Sequence, residues 1–221
     1  SDDYSDTVQI TIDPLPIGGN INSSITLCET SVAGTLNLVG SSGAINFWEY
    51  SDDGCTSWNT IANTTTSLAY SGLTAETWYR VQIEGGTCAD IYSDTAIVSI
   101  DVVTVAGNLL SDATICEGTT ASLSLTGYVG SVLDWESSED LASWIPLSEF
   151  DGNYDSAPLT TTTYFRVHVQ SGVCPDDYSD TVLITVDPLP IGGNINSSMT
   201  LCEADASDTL ILLRYFGSSI S

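Results

Sequence analysis

The chain repeats itself on two scales, and no other feature constrains its fold as much. Tyr4-Ser5-Asp6-Thr7 returns as Tyr92-Ser93-Asp94-Thr95 and again as Tyr178-Ser179-Asp180-Thr181, at spacings of 88 and 86 residues. Cysteine keeps the same beat: Cys28, Cys116 and Cys202 are 88 and 86 apart, and Cys88 and Cys174 are 86 apart. A longer period of 174 lies over this one. Asp176 through Glu203 reproduces Asp2 through Glu29 with three changes, Gln9 to Leu183, Ile12 to Val186 and Ile25 to Met199. Adjacent repeats match far less well, so the unit copied whole is a pair of modules. Fixed self-similarity of this kind marks a modular array. Arrays supply length, reach or multivalency more readily than a catalytic centre.

A module of 86 to 88 residues can fold alone, burying roughly 60–65% of its unfolded surface, and benefits from a staple. Against 29 acidic residues stand three arginines and no lysine, for a net charge of −26. That field repels nucleic acid and anionic membrane, because phosphate binding needs clustered Lys or Arg. No apolar run approaches the length of a membrane span. Regular cysteines in a β-rich, lysine-free chain argue for an oxidising, extracellular compartment.

Short alternating stretches separated by Gly, Asn, Asp and Ser turns dominate, and no stretch has a helical period. In the first module strands are expected near 20–27, 34–40, 44–51, 57–62, 67–71, 77–84 and 94–102. Seven short strands in under 90 residues predict an all-β chain of tandem immunoglobulin-like Greek-key sandwiches, arranged as an elongated rod. Trp48 and Trp135 sit where a sandwich places its core tryptophan. Trp58 and Trp144 follow the next turn and are expected to pack rather than to bind. Module boundaries fall at Asp13-Pro14-Leu15-Pro16, Asp101-Val102-Val103 and Asp187-Pro188-Leu189-Pro190, two of them stiffened by Pro-x-Pro. The chain thus reads as a final strand of a preceding module (1–13), two modules (14–101 and 102–187), and opening strands of an incomplete or divergent third (188–221).

Several runs of residues stand out as motifs. They are Tyr-Ser-Asp-Thr-Val-x-Ile-Thr-Val-Asp-Pro-Leu-Pro-x-Gly-Gly-Asn-Ile from Tyr178, Thr-Leu-Cys-Glu at 26–29 and 200–203, Trp-Glu-x-Ser at 48–51 and 135–138, and Thr-Thr-Thr-Tyr-Phe-Arg-Val at 161–167. Together these motifs resemble the immunoglobulin-like repeats of giant Bacteroidota surface proteins, among them gliding-motility-type adhesins exported by the type 9 secretion system. The resemblance covers residues 4 to about 203. It implies an extracellular, often filamentous stalk of tandem β-sandwiches and carries no catalytic residues.

Among the cysteines, Cys28 with Cys88 and Cys116 with Cys174 each bracket a module. Bridges there would close loops of about 60 residues, worth roughly 3–4 kcal/mol in the chain-entropy account. Zinc is disfavoured, since Cys-x-x-Cys spacing and companion histidines are lacking. Cys202 has its expected partner beyond residue 221. Cys55 has no counterpart in the second module and reads as a free thiol, with an inter-chain crosslink as the alternative. The carboxylates flanking the junctions, Asp6, Asp13, Asp94, Asp101, Asp180 and Asp187, form oxygen-rich clusters that are candidate Ca²⁺ ligands, although solvated acidic turns are commoner. Asp-Ser/Thr followed by a small or apolar residue is similar to the Bacteroidota O-glycosylation sequon, which marks Thr7, Thr95, Ser156, Thr181 and Thr209 as candidate glycan sites. Asn22, Asn63 and Asn196 lie in N-glycosylation sequons. Arg80 and Arg166 are expected to pair across strands with Glu49 and Glu136. His168 is the sole histidine, and Gln82 stands in its place in the first module.

The leading functional expectation is therefore a non-catalytic stalk or filament region of an extracellular surface adhesin. Its partners would be neighbouring repeats of the same chain, lateral copies of itself, and a glycan or surface ligand. One alternative is a carbohydrate-binding array on a secreted polysaccharide-degrading enzyme, with Trp58/Trp144 and Trp78/Tyr164 as its aromatics. The other is a self-assembling sheath or fibre subunit.

Overall fold

The structure, a computed structural model, describes residues 5–22, 24–110, 112–195 and 212–213. The chain forms two compact units, Ser1–Thr104 with Gln170–Asp176, and Val105–Val169 with Asp177–Ser221. Both are all-β immunoglobulin-like sandwiches.

In the first repeat the strands are β1 (Asn20–Ile21), β2 (Ile25–Cys28), β3 (Ala33–Val39), β4 (Ala44–Ser51), β5 (Asn59–Ile61), β6 (Ser67–Ser71), β7 (Thr77–Glu84), β8 (Ile91–Tyr92) and β9 (Ala96–Asp101). A three-stranded sheet runs β1-β3-β6, and a six-stranded sheet runs β2-β9-β7-β4-β5 with β8 added to β7. The second repeat follows the same plan with β10 (Asn108–Leu109), β11 (Ala113–Cys116), β12 (Ser122–Thr126), β13 (Ser131–Ser138), β14 (Ile145–Pro146), β15 (Asn153–Asp155), β16 (Thr163–Gln170), β17 (Asp177–Tyr178) and β18 (Val182–Asp187). Its sheets run β10-β12-β15 and β11-β18-β16-β13-β14, with β17 on β16.

Alternation sorts the side chains, as a pleated strand requires. In β7, Thr77, Tyr79, Val81 and Ile83 are buried, while Trp78, Arg80 and Gln82 lie on the outer face. Trp48 and Trp135 are fully buried at the two core centres, as expected. Each still has its indole satisfied: Trp48 Nε1 donates to the Thr65 carbonyl at 2.9 Å and Trp135 Nε1 to that of Asp151 at 2.7 Å. A buried indole N–H without a partner would forfeit much of what the ring's burial contributes.

Two expectations need correction. The strand expected over 20–27 is two strands in different sheets: β1 pairs antiparallel with β3, whereas β2 pairs parallel with β9. The crossing lets the chain's first segment close both sheets. The strand expected over 1–13 is absent from its described residues, which carry no ladder and leave Val8, Ile10 and Ile12 more than 80% exposed. The same alternation forms β9 and β18 because those segments have β2 and β7, or β11 and β16, to pair with. Hairpin residues Gln170–Asp176, inside the expected module 102–187, pack as part of the first unit.

Residues 196–211 and 214–221, including Asn196, Cys202 and Thr209, lie outside those described. Even so, β19 (Asn194–Ile195) pairs with β20 (Leu212–Leu213), Asn194 opposite Leu213. That register repeats Asn20 opposite Val39 at the 174-residue spacing, past the point where the sequences stop matching.

The turn after β4 is built on Asp53. Its carboxylate accepts hydrogen bonds from the Ser51 and Ser57 hydroxyls and from the Thr56 and Ser57 amides. These donors, the Ser57 hydroxyl foremost, lower its pKa to about 2. Asp140 holds the equivalent turn in the second repeat and is lowered for the same reason, the Ser143 amide contributing most.

Two outcomes are expected. Trp48→Ala should destabilise the first unit by about 3–5 kcal/mol in urea denaturation, and a loss below 1 kcal/mol would remove Trp48 from the core. Because the folded pKa of Asp53 is depressed, its turn gains stability above the ordinary aspartate range and loses it as pH falls toward 2. An NMR titration should find Asp53 ionised at pH 3, and a midpoint near 4 would contradict the turn.

Candidate functional site

The outer face of each six-stranded sheet carries a cluster of aromatic and charged side chains. Strand register places Glu49 of β4 opposite Arg80 of β7, and Arg80 Nε donates to Glu49 Oε2 at 2.7 Å. The Arg80 guanidinium lies 3.9 Å from the ring centroids of both Trp58 and Tyr92. In the second repeat Arg166 Nε donates to Glu136 Oε2 at 2.7 Å. Its guanidinium lies 4.1 Å from Trp144 and 4.0 Å from Tyr178, and the His168 ring stacks on Tyr178 at 4.4 Å. In the first repeat Gln82 takes the histidine's place, with its Nε2 donating to the Tyr92 hydroxyl.

The energetics of this arrangement are internal. Glu49 is buried, and a carboxylate drawn out of water needs its cation. Each ring contributes roughly 0.5–1 kcal/mol more to an arginine that is only partly exposed. One face of each ring is thereby occupied. Two of the three arginines in a chain of net charge −26 are spent on intramolecular pairs. The cross-strand pairing expected from sequence is present. The tyrosines that complete each stack were not singled out by pattern alone, although they open the Tyr-Ser-Asp-Thr motif.

That motif has a structural meaning at every position. Tyr92 stacks on Arg80, the Ser93 hydroxyl accepts the Val81 amide at 2.9 Å, and Asp94 Oδ1 accepts the Ile21 amide at 2.6 Å. Tyr178, Ser179 and Asp180 repeat these roles against Arg166, Val167 and Leu109. The aspartate therefore ties β1 or β10 to the far edge of the sandwich.

Other junction carboxylates also cap backbone. Asp13 Oδ2 accepts from the Thr87 amide and hydroxyl, and Asp101 Oδ2 accepts the Val173 amide at 2.8 Å. Among the described residues no three His, Cys, Asp or Glu side chains converge as a metal site. The candidate Ca²⁺ ligands Asp6, Asp13, Asp94, Asp101, Asp180 and Asp187 are thus not brought together. Of the candidate glycan sites, Thr7, Thr95 and Thr181 are exposed. Ser156 is not a fit: it is 4% exposed, and its hydroxyl accepts the Ala121 amide at 2.9 Å.

The cysteines pair differently from expectation. Cys28 is bonded to Cys174, and Cys88, Cys116 and the exposed Cys55 are thiols. Strand geometry explains why Cys28 does not reach Cys88. Cys28 ends β2 beside Asp101, level with the start of β7, whereas Cys88 follows the end of β7. An eight-residue strand at about 3.3 Å per residue separates them by roughly 25 Å, far beyond the ~7 Å that Cα atoms of a disulfide can span. The same strand plan keeps Cys116, beside Asp187, away from Cys174. The bond that does form closes a sequence separation of 146, worth about 5 kcal/mol in the chain-entropy account.

Comparison with known proteins agrees with this plan. A marsupial T cell receptor superposes with a TM-score of 0.54 at 13% identity, over 80% of this chain and 76% of that one. Extracellular domains 3–5 of Drosophila OTK give 0.48 at 12% identity, over 81% and 62%. The four N-terminal Ig domains of Dscam1 isoform 6.9 give 0.44 at 7%, over 75% and 43%, so the chain spans less than half of that fragment. Of these three, only the receptor's likeness passes a TM-score of 0.5, and at 13% identity it speaks to fold alone. No curated protein sequence matches the chain. Among the described residues no helix is long and apolar enough to cross a membrane. One family model matches residues 17–102 and again residues 105–188, so the chain belongs to the family described as a domain of unknown function, DUF8696, and carries two copies of its domain.

Proposed function

We propose that this chain is a structural repeat region, a stalk or filament, of an extracellular bacterial surface adhesin of the kind borne by Bacteroidota, and that it acts without catalysis. The observation that carries this reading is the parallel ladder between the entering and leaving strands of each repeat. Ile25 to Cys28 pair with Val98 to Asp101, and Ala113 to Cys116 pair with Ile184 to Asp187. Pulling the two ends of a repeat apart loads such a ladder in shear. All of its rungs must then yield together, whereas a ladder pulled open at one end loses them singly. A domain whose task is to transmit tension gains from that geometry.

Other features support the same reading. Tandem immunoglobulin-like domains are consistent with a structural or adhesion-type repeat region, and a disulfide suits an oxidising exterior. The acidic, lysine-free surface favours solubility of a long exposed chain. A carbohydrate platform needs free aromatic faces. Trp58 and Trp144 each give a face to their own arginine, while Trp78 and Tyr164 are half-buried.

Immuno-electron microscopy of the source cells with an antibody to residues 14–187 tests the placement. Label in rows along surface fibres is expected, and label confined to the medium or to polysaccharide particles would overturn it. For the stack, Arg166→Ala should cost about 2 kcal/mol in urea denaturation by stranding Glu136. A polysaccharide that protects Trp144 fluorescence from quenching in the unaltered chain would instead make the stack a binding site.

A further inference from the structure

The Cys28–Cys174 bond joins one repeat to the hairpin of the next, and the structure holds two half-built copies of the same joint. At the complete joint, three elements meet. Cys28 ends β2 as the register partner of Asp101, the last residue of β9. Hairpin 170–176 of the following repeat rests on that aspartate: the Val173 amide donates to Asp101 Oδ2, and Cys174 Sγ lies 3.5 Å from the Asp101 carbonyl oxygen. The approach is close enough that a Cβ on Gly172 would run into the Asp101 carboxylate, and Gly172 also has a positive φ of 49°.

The first half-joint lies at Asp13, 88 residues before Asp101. Hairpin residues 85–88 form the same turn there, with the Cys88 amide donating to the Gly85 carbonyl as that of Cys174 does to Ser171. Thr87 donates to Asp13 Oδ2, and Cys88 Sγ lies 4.0 Å from the Asp13 carbonyl oxygen. The hairpin and its aspartate are in place, and only a cysteine in the role of Cys28 is missing. The second half-joint lies at Asp187, 86 residues after Asp101. Cys116 ends β11 as the register partner of Asp187, as Cys28 is of Asp101, and its thiol is exposed. Here the strand cysteine and its aspartate are in place, and only a hairpin cysteine is missing.

We propose that Cys88 and Cys116 are half-cystines of a continuing series. Cys88 bonds the strand cysteine of a repeat on its N-terminal side, and Cys116 bonds the hairpin cysteine of a repeat on its C-terminal side. Each repeat is then covalently stapled to the next. Every staple forms when two thiols release two protons and two electrons to a disulfide oxidant, which is itself reduced to two thiols. Cys55, which has no aspartate joint and no counterpart in the second repeat, takes no part. The inference rests on the array reading, but not on its placement at a cell surface.

The test inserts a copy of residues 14–187, with the copy's own Cys116 replaced by serine, between Asp187 and Pro188, which keeps every residue of the present chain and continues its 174-residue period. The protein is refolded in reduced and oxidised glutathione and alkylated. It is then cleaved at glutamates, and disulfide-linked peptides are identified by mass spectrometry. In the 221-residue chain, the Cys28–Cys174 peptide pair and alkylated Cys116 are expected. In the extended chain, Cys116 should pass from alkylated to linked, its partner being the inserted cysteine at the position of Cys88. Cys116→Ser should return that inserted cysteine to the alkylated pool. Alkylated Cys116 in an extended chain that retains the Cys28–Cys174 bond would overturn the staple while leaving the array reading intact. A Cys28–Cys88 peptide pair in either chain would overturn the joint itself.

Discussion

The parallel ladder of β2 on β9, repeated as β11 on β18, is the interaction on which the rest of each repeat depends. A strand that had stayed with β1 would have lengthened the smaller sheet and left the edge of β9 open to chance pairing. By crossing between Ile21 and Ile25 the chain closes both sheets around one core. It also sets the strand cysteine beside the residue at which the repeat ends. Core, edge protection and cysteine placement therefore follow from one change of partner.

The recurrent Tyr-Ser-Asp-Thr segment supports that closure from the other side. Its aspartate holds the backbone of β1 or β10, its serine accepts an amide in the middle of β7 or β16, and its tyrosine covers the arginine. A segment that reads in sequence as a glycan signal or an acidic junction is first a set of backbone ties. Only its threonine, exposed at Thr95 and Thr181, is left uncommitted by these contacts.

Much of this fold was legible from residue pattern. Period-two alternation located the long strands and the buried tryptophans, because a half-buried strand must alternate and a sandwich must fill its centre. The Arg–Glu pairs could be anticipated from matching positions in adjacent strands. The split of residues 20–27 into β1 and β2 was not legible, since both halves are extended and apolar and only their partners differ. Nor was the cysteine pairing. Spacing within one repeat gives Cys28 and Cys88 equal standing, and it takes the third dimension to show that β7 holds them at opposite ends. The candidate carboxylates do not converge in space as their sequence neighbourhood suggested. Asp13, Asp94, Asp101 and Asp180 each bind a separate backbone amide.

The Cys28–Cys174 bond has a consequence for how the chain withstands proteolysis. It spans 146 residues, so a protease that cuts the backbone anywhere from Glu29 to Val173 produces a nick without releasing a fragment. The two pieces remain one molecule, held by the bond and by the ladders on either side of the cut. An ordinary string of beads is severed by one event between beads. Here the segment joining the two repeats lies inside the disulfide loop, so parting them takes reduction as well as hydrolysis.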